Sequence, residues 1–130
     1  MNLKKTIFLA DDDEDDRFFL RDAINQIENN IEIIEAVNGP DLLEILKTHP
    51  HTQDVLIVLD MNMPRLNGLE TIQAIRMNPA YAPIPAVMIS TSSDRWLIEQ
   101  VKQAGIDKFV TKPSTMEGFL CLARELCNSF

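Results

Sequence analysis

Six consecutive acidic residues, Asp11 to Asp16, follow a short apolar segment that begins at Thr6. Carboxylates this close repel one another, and a bound cation compensates for that repulsion when several of them share one small site. A run of acidic residues is also commonly a solvated surface. The run therefore has two alternative interpretations, a metal site or an exposed acidic face.

Three further polar residues also come after apolar segments. Asp60 follows VLIVL, Ser90 follows AVMI, and Lys112 comes two residues after KFV. If these segments are parallel strands, the three side chains meet Asp11 and Asp12 at one edge of the sheet. Each residue alone would be interpreted as a cap, turn or surface residue. Only their joint placement points to chemistry.

These groups together suit the chemistry of a phosphoryl group on a carboxylate. A few carboxylate oxygens suit Mg²⁺, which keeps several waters and often shares a phosphate oxygen. Lys112 supplies a second positive charge, and the hydroxyl of Ser90 can donate to an anionic oxygen. Asp60 follows the central strand and is the natural nucleophile.

Alternating strands and helices must position these groups. Short apolar runs predict strands at Thr6–Leu9, Ile31–Val37, Val55–Leu59, Ala86–Ile89 and Lys108–Val110. Helical spacing of apolar residues predicts helices at Glu14–Ile27, Asp41–Lys47, Asn67–Met77, Ser93–Ala104 and Thr115–Cys127. This alternation implies right-handed crossovers, and hence an α/β fold with helices on both faces of a parallel sheet.

Local signals predict several ends of these elements. The segment Asn38–Pro40 predicts a turn before the second helix. Gly105 is predicted to cap the C-terminus of the fourth helix. Asp13 is predicted to cap the N-terminus of the first helix, with Asp16 as a partial capping-box partner.

Four sequence segments together resemble the receiver domain of two-component response regulators. They are LADDD, VLIVLDMNMPRLNG, VMISTSSD and KFVTKPS, in the usual order and spacing over essentially the whole chain. The form Asp-x-x-Met-Pro-x-x-x-Gly, from Asp60 to Gly68, is specific. The resemblance implies a flavodoxin-like, doubly wound (βα)5 fold with strand order 2-1-3-4-5. It also implies a single receiver domain over residues 1–130 with no output domain.

The resemblance implies a phosphoacceptor and its metal ligands. Asp60 would take a phosphoryl group from the phosphohistidine of a sensor histidine kinase or a phosphotransfer protein. Asp12 and Asp60 would ligate Mg²⁺ directly, together with the backbone carbonyl of Asn62. Asp11 would act mainly through a bound water.

The resemblance also implies roles around the phosphoryl group. Lys112 would be joined to Pro113 by a cis peptide bond that aims the ammonium inward. Ser90 would sense the phosphoryl group, and Thr91, where Ala is common, would border the approach of water. Phe109 stands at the aromatic switch position, where Tyr is also frequent; Phe can rotate but cannot donate a hydrogen bond when it turns inward.

The output surface is less defined by the sequence. Trp96 lies off the apolar stripe of the fourth helix, and partial burial and a partner-binding hot spot are equal alternatives for it. The resemblance implies that partner binding changes at the face formed by the fourth helix, fifth strand and fifth helix. A downstream protein target is expected, and the chain is expected to be a monomer or weak dimer.

The composition excludes several classes of function. The formal net charge is −8 at pH 7, so the chain lacks the basic surface that nucleic acid or an anionic membrane requires. No apolar run is long enough to cross a bilayer, and no signal-peptide pattern is present. The expected location is cytoplasmic.

The cysteines and histidines are predicted to take no part in the chemistry. Cys121 and Cys127, if both lie on one helix, are about 9 Å apart along it. A disulfide needs Cα atoms within about 7 Å of each other, so free thiols are expected. His49 and His51 lie in a polar segment and are expected to be exposed to solvent.

Two other functions stand as alternatives to a phosphorylation-controlled switch. A haloacid-dehalogenase-like phosphatase also uses an aspartyl phosphate and Mg²⁺. That family has a second Asp two residues after the nucleophile, where this chain has Asn62, and it needs a longer chain. A degenerate receiver would only bind a partner, and the intact set of three Asp and one Lys counts against it. The preferred function is a switch whose only reactions are its own phosphorylation and dephosphorylation.

Overall fold

The structure, a computed structural model, describes residues 5–49 and 54–130 as five strands alternating with five helices. The strands are β1 (Lys5–Ala10), β2 (Ile31–Ala36), β3 (Val55–Asp60), β4 (Ala86–Ser90) and β5 (Lys108–Thr111). The helices are α1 (Glu14–Ile27), α2 (Gly39–Thr48), α3 (Gly68–Met77), α4 (Arg95–Ala104) and α5 (Met116–Cys127). Every predicted strand and helix is therefore confirmed, with shifts of one or two residues at most ends.

The five strands form one parallel sheet in the order β2-β1-β3-β4-β5. This is the predicted flavodoxin-like topology. Since β1, β3, β4 and β5 are consecutive neighbours, their carboxyl ends lie side by side. In the register, Asp60 lies opposite Ile89 and Ser90 lies opposite Thr111. The topology thus brings four loops to one edge.

Two apolar clusters cover the two faces of the sheet. Strand β3 is buried along its whole length, and its side chains alternate between the clusters, with Ile57 in one and Val58 in the other. Helices α1 and α5 cover one face through residues such as Ile24 and Leu122, while α2, α3 and α4 cover the other. A strand covered on both faces explains why its sequence is uninterrupted by polar residues.

Capping residues set the helix ends. The side chain of Asp13 accepts a hydrogen bond from the backbone N–H of Asp16, at 3.0 Å, which confirms the predicted N-cap. The predicted turn at Asn38–Pro40 is wrong, because Asn38 caps α2 and Pro40 lies in its first turn. Proline is favoured there, since the first helical N–H groups have no partner within the helix. Gly105 ends α4 in the left-handed conformation, as predicted, with φ 116°.

Arg76, near the end of α3, forms hydrogen bonds with the two loops that precede β4 and β5. One terminal nitrogen donates to the carbonyl oxygens of Tyr81, Ala82 and Ile84, at 3.3, 3.0 and 2.7 Å. Its Nε and other terminal nitrogen both donate to the carbonyl oxygen of Gly105, at 3.1 and 2.8 Å. The guanidinium therefore satisfies carbonyl groups that no strand or helix would pair.

The remaining sequence predictions concern exposure and membrane spans. Cys121 and Cys127 are free thiols, as predicted. His49 is exposed at the end of α2, and His51 lies outside the described residues. Across residues 5–49 and 54–130, no helix has the length and apolar character needed to span a membrane.

Candidate functional site

Three aspartates converge where β1 and β3 end. One carboxylate oxygen each from Asp11, Asp12 and Asp60 lies within 4.8 Å of the others. Asp11 and Asp60 are buried, with 4% and 3% exposure, whereas Asp12 is exposed to solvent. The convergence predicted from the strand ends is therefore present, and we call these three residues the acidic corner. Its hard oxygen donors at low count suit a divalent cation such as Mg²⁺ or Mn²⁺.

The ammonium of Lys112 reaches into the acidic corner from the end of β5. Its Nζ lies 3.4 Å from Oδ2 of Asp60, 3.1 Å from Oδ2 of Asp11 and 2.7 Å from Oδ2 of Asp16. The backbone N–H of Lys112 donates to the carbonyl of Ser90 at 2.8 Å, which continues the strand pairing beyond β5. The lysine is thus fixed at its backbone and at its tip.

Burial and mutual repulsion alter the protonation of the acidic corner. Burial, followed by the charge of Asp11, raises the pKa of Asp60 to about 6, although Lys112 opposes the change. Burial also raises the pKa of Asp11. For Lys112, burial alone would lower the pKa, but the hydrogen bond to Asp16 and the charges of Asp11 and Asp60 raise it above its ordinary value. The ammonium is therefore charged at every physiological pH, and Asp60 is mostly ionised at pH 7.

Arg17 of α1 fixes the backbone that carries the acidic corner. One terminal nitrogen of Arg17 donates to the carbonyl oxygen of Asp11 at 2.7 Å, and its Nε donates to Glu35 of β2 at 2.9 Å. Glu35 is also paired with Arg21. The side chain of Asp11 accepts the backbone N–H of Asp13 at 2.9 Å. These contacts hold the β1–α1 loop from both sides.

The loop from β3 to α3 is closed at its base beside Asp60. The backbone N–H of Gly68 donates to the carbonyl of Met61 at 2.9 Å. A Cβ at residue 68 would lie 2.7 Å from the carbonyl oxygen of Asp60 and 2.8 Å from Cα of Met61. The glycine of the motif is therefore required by close approach, because any side chain would displace the end of β3. Asn67 and Glu70 form a capping box that starts α3 immediately afterwards.

The tip of the same loop contains a tight turn. The backbone N–H of Leu66 donates to the carbonyl of Pro64 at 2.9 Å, and Arg65 between them has φ 72°. This is a γ-turn, a conformation that is unfavourable for a residue with a side chain. Arg65 is the only non-glycine residue with positive φ in the described chain.

Two consecutive hydroxyl residues lie at the site where β4 ends, Ser90 as its last residue and Thr91 as the next one. Ser90 is fully buried, and its Oγ accepts the backbone N–H of Ser92 at 3.1 Å. Because the oxygen is the acceptor in this contact, the hydroxyl can donate its own hydrogen to an anionic oxygen. Next to it, Oγ1 of Thr91 accepts a hydrogen bond from the side-chain amide of Asn62 at 3.5 Å. The backbone N–H of Asn62 donates to Oδ1 of Asp60 at 3.3 Å.

One predicted feature at β5 is corrected by the structure. The described chain has no cis peptide bond, so Lys112 and Pro113 are not joined by one. A trans bond is the more stable form before proline by roughly 0.5–1 kcal/mol. The lysine is aimed inward by its three carboxylate partners and by its backbone bond to Ser90.

Phe109 and Trp96 lie outside the acidic corner. Phe109 is partly buried and packs against the apolar cluster on the α2–α4 side. Trp96 is 65% exposed, so most of its side chain is open to solvent. Its backbone N–H donates a hydrogen bond to the side chain of the N-cap residue Asp94. The indole is therefore a surface group of α4.

Sequence reasoning missed two residues of the site, and the first is Asp16. We predicted it as a capping-box partner of Asp13, but its carboxylate contacts Lys112 instead. The signal was its place in the third position of α1. Helical side chains lean toward the N-terminus, so a carboxylate there extends back over the acidic corner. Arg17 was also missed, and its contact with a backbone carbonyl leaves no sequence signal.

Comparisons with known proteins agree with this geometry. Residues 7–123 match the family model for the response regulator receiver domain. A probable chemotaxis protein CheY from Rhizobium etli is 30% identical over 114 residues, which cover 88% of this chain and 85% of that protein.

Solved structures give the same fold. A response regulator receiver domain from Rhodospirillum rubrum has a TM-score of 0.83 at 26% identity, covering 93% of this chain and 89% of that one. The Mn²⁺-bound form of response regulator Rcp1 has a TM-score of 0.83 at 21% identity, covering 96% and 93%. The chain belongs to the response regulator receiver domain family, whose CheY-type members are signalling switches.

Proposed function

We propose that this receiver domain accepts a phosphoryl group on Asp60 from the phosphohistidine of a sensor kinase or phosphotransfer protein. One observation carries the proposal. The carboxylate of Asp60 is buried at the end of the central strand, 3.4 Å from the ammonium of Lys112 and beside two further carboxylates. A buried nucleophile with a fixed cation and a place for a second cation suits phosphoryl transfer.

The transfer is a displacement at phosphorus. A carboxylate oxygen of Asp60 forms the new P–O bond while the P–N bond to the donor histidine breaks. The imidazole nitrogen keeps the electron pair and takes up a proton. With a pKa of about 6, Asp60 is mostly ionised at pH 7 and available to attack. Lys112 places positive charge where the phosphoryl oxygens arrive, and Ser90 is placed to donate its hydroxyl hydrogen to one of them.

The acidic corner is proposed to hold Mg²⁺. Asp12 and Asp60 would be direct ligands together with the backbone carbonyl of Asn62, and Asp11 would act mainly through water. The bound cation would neutralise negative charge on the phosphoryl oxygens. The donor set supports this proposal, because three carboxylates this close need a positive partner beyond one lysine.

The output of the switch is proposed to lie on α4, β5 and α5. The hydroxyl of Ser90 would sense the phosphoryl group by donating a hydrogen bond to it. The ring of Phe109 would change its packing against the core in response. Trp96 supports a partner surface here, since a large apolar side chain that is 65% exposed can serve as a binding hot spot. The partner would be a protein.

Mass measurement after incubation with acetyl phosphate and Mg²⁺ tests the function. The proposal expects a single-phosphate adduct that hydrolyses slowly. Rapid release of inorganic phosphate from added phosphate esters would instead establish a phosphatase. The absence of any adduct would indicate a degenerate receiver that binds a partner without being phosphorylated.

Mg²⁺ should raise the melting temperature of the wild type through binding to the folded state. At ten times Kd the gain is about 1.4 kcal/mol. Asp12→Ala should remove most of this gain, because it removes a proposed ligand. Asp13→Ala should keep the gain while lowering stability, because Asp13 is the N-cap of α1. Thermal unfolding with and without Mg²⁺ measures both effects, and equal responses of the two variants would contradict this assignment.

Thr91→Ala should speed loss of the phosphoryl group several-fold, which is about 1 kcal/mol of barrier. Hydrolysis needs a water in line with phosphorus, and the side chain of Thr91 is proposed to narrow that approach. Its contact with Asn62 adds to the obstruction, since the two side chains meet across the mouth of the site. Phosphate release from the purified phosphoprotein gives the rate. An unchanged or slower rate would show that Thr91 does not limit access of water.

A further inference from the structure

Asp16 provides the shortest contact to the ammonium of Lys112, yet it has no role in the proposed phosphoryl transfer to Asp60. The distance from Nζ of Lys112 is 2.7 Å to Asp16, compared with 3.1 Å to Asp11 and 3.4 Å to Asp60. An ammonium has three hydrogens to donate, and three carboxylates lie within ion-pair distance of it. The longest of the three distances is to the proposed phosphoacceptor, Asp60.

Asp16 differs from the other two carboxylate partners of Lys112 because it does not belong to the acidic corner. Asp11 and Asp60 belong to the acidic corner, whose oxygens lie within 4.8 Å of one another, and in the described chain Asp16 is not part of that group. It projects from the first turn of α1, where its own backbone N–H is bonded to the cap Asp13. Its carboxylate is therefore presented from a fixed helix end.

A cation in the acidic corner changes the balance among these contacts. The ammonium and the divalent cation compete for the same oxygens of Asp11 and Asp60. A lysine that kept only those two partners would remain on them and oppose the cation. A third carboxylate outside the corner lets the ammonium stay paired while it releases the other two.

We propose that Asp16 is a positioning residue that holds the ammonium of Lys112 to one side, so that Asp11 and Asp60 stay available to the cation and the phosphoryl group. The inference rests on the proposed function. It assigns Asp16 no contact with the reacting atoms. Its effect passes through Lys112 alone.

Mg²⁺ binding to the full chain, measured by titration calorimetry without a phosphodonor, tests this role. Asp16→Asn should weaken Mg²⁺ affinity about fivefold, because Lys112 then settles on Asp11 and Asp60. The matched control is Asp15→Asn, which removes the same charge from the same helix turn. In the described chain Asp15 is not an ion-pair partner of Lys112, so its effect should stay below about twofold.

A double-mutant cycle separates positioning from simple charge. In a Lys112→Met background, Asp16→Asn should change Mg²⁺ affinity by less than about twofold, because the group through which it acts is gone. An equal loss with and without Lys112 would overturn the proposal and show that Asp16 attracts the cation directly. Equal effects of Asp16→Asn and Asp15→Asn would also overturn it, and so would a wild type that binds no Mg²⁺.

Phosphorylation is measured separately on the same proteins with acetyl phosphate. The rate at subsaturating Mg²⁺ should fall about fivefold in Asp16→Asn and should recover at saturating Mg²⁺. A wild type that binds Mg²⁺ but gains no phosphate would overturn the proposed function, and the calorimetric cycle would still decide the role of Asp16. A rate defect that persists at saturating Mg²⁺ would count against a role limited to positioning Lys112.

Discussion

Asp60→Asn should abolish phosphorylation by acetyl phosphate and leave the protein folded. The amide nearly matches the carboxylate in size, but it is a poor nucleophile and carries no charge to attract Mg²⁺. Intact-protein mass after incubation with acetyl phosphate and Mg²⁺ gives the extent of labelling. Asp54→Asn is the matched control, because Asp54 immediately precedes the opposite end of the same strand. Asp54→Asn should label like the wild type.

Equal labelling of Asp60→Asn and the wild type would contradict the assignment of the acceptor. The same variant also tests how the buried charge of Asp60 affects the stability of the folded protein. Because the folded state raises the pKa of Asp60 to about 6 from 3.8, it binds a proton more tightly than the unfolded state. This contribution to stability is lost as the pH rises through about 6. In metal-free buffer, Asp60→Asn should therefore melt higher than the wild type at pH 8, and the difference should shrink near pH 5.

Arg76→Met should lower the free energy of unfolding by about 3 kcal/mol, because it leaves several carbonyl groups without their donor. Methionine keeps much of the aliphatic volume, so the loss reports mainly on the hydrogen bonds to Gly105, Ile84 and the residues before it. Urea denaturation measures the change. Arg124→Met is the control, since Arg124 is exposed in the last turn of α5, and it should cost less than about 0.5 kcal/mol. Similar losses in the two variants would show that the carbonyl contacts of Arg76 contribute little.

The sequence was sufficient to predict a parallel α/β sheet and the acidic corner because both follow from simple patterns, whereas the strand order followed from the resemblance to a known family. A run such as VLIVL is typical of a strand buried on both faces. Strands in a parallel sheet bring their carboxyl ends together. The residues after those strands, Asp11, Asp60 and Lys112, could therefore be placed near one another without coordinates. The ends of α2 and α4 were less predictable. They depend on which of several adjacent polar residues, such as Asn38 or Asp94, becomes the cap.

Other details of the site could not be predicted because they depend on contacts between distant parts of the chain. The partner of Asp16 is a lysine 96 positions later, and only the packing of α1 against the sheet brings them together. The bond before Pro113 was expected to be cis by resemblance alone, with no supporting signal in the neighbouring residues, and that prediction is wrong. Trp96 is likewise undetermined by local pattern, because its exposure depends on what α4 packs against.

The γ-turn at Arg65 has a consequence for engineering the chain. The base of its loop is fixed, because Gly68 rests on the carbonyl of Asp60 and bonds to Met61. The tip, in contrast, is exposed at Pro64 and Arg65, and it holds a side chain in a conformation that glycine adopts without penalty. A glycine at residue 65 would adopt this turn without the steric penalty that the arginine side chain carries, and it would leave the anchored base unchanged. The β3–α3 loop therefore combines a fixed base beside Asp60 with an exposed tip at which a single substitution changes backbone strain.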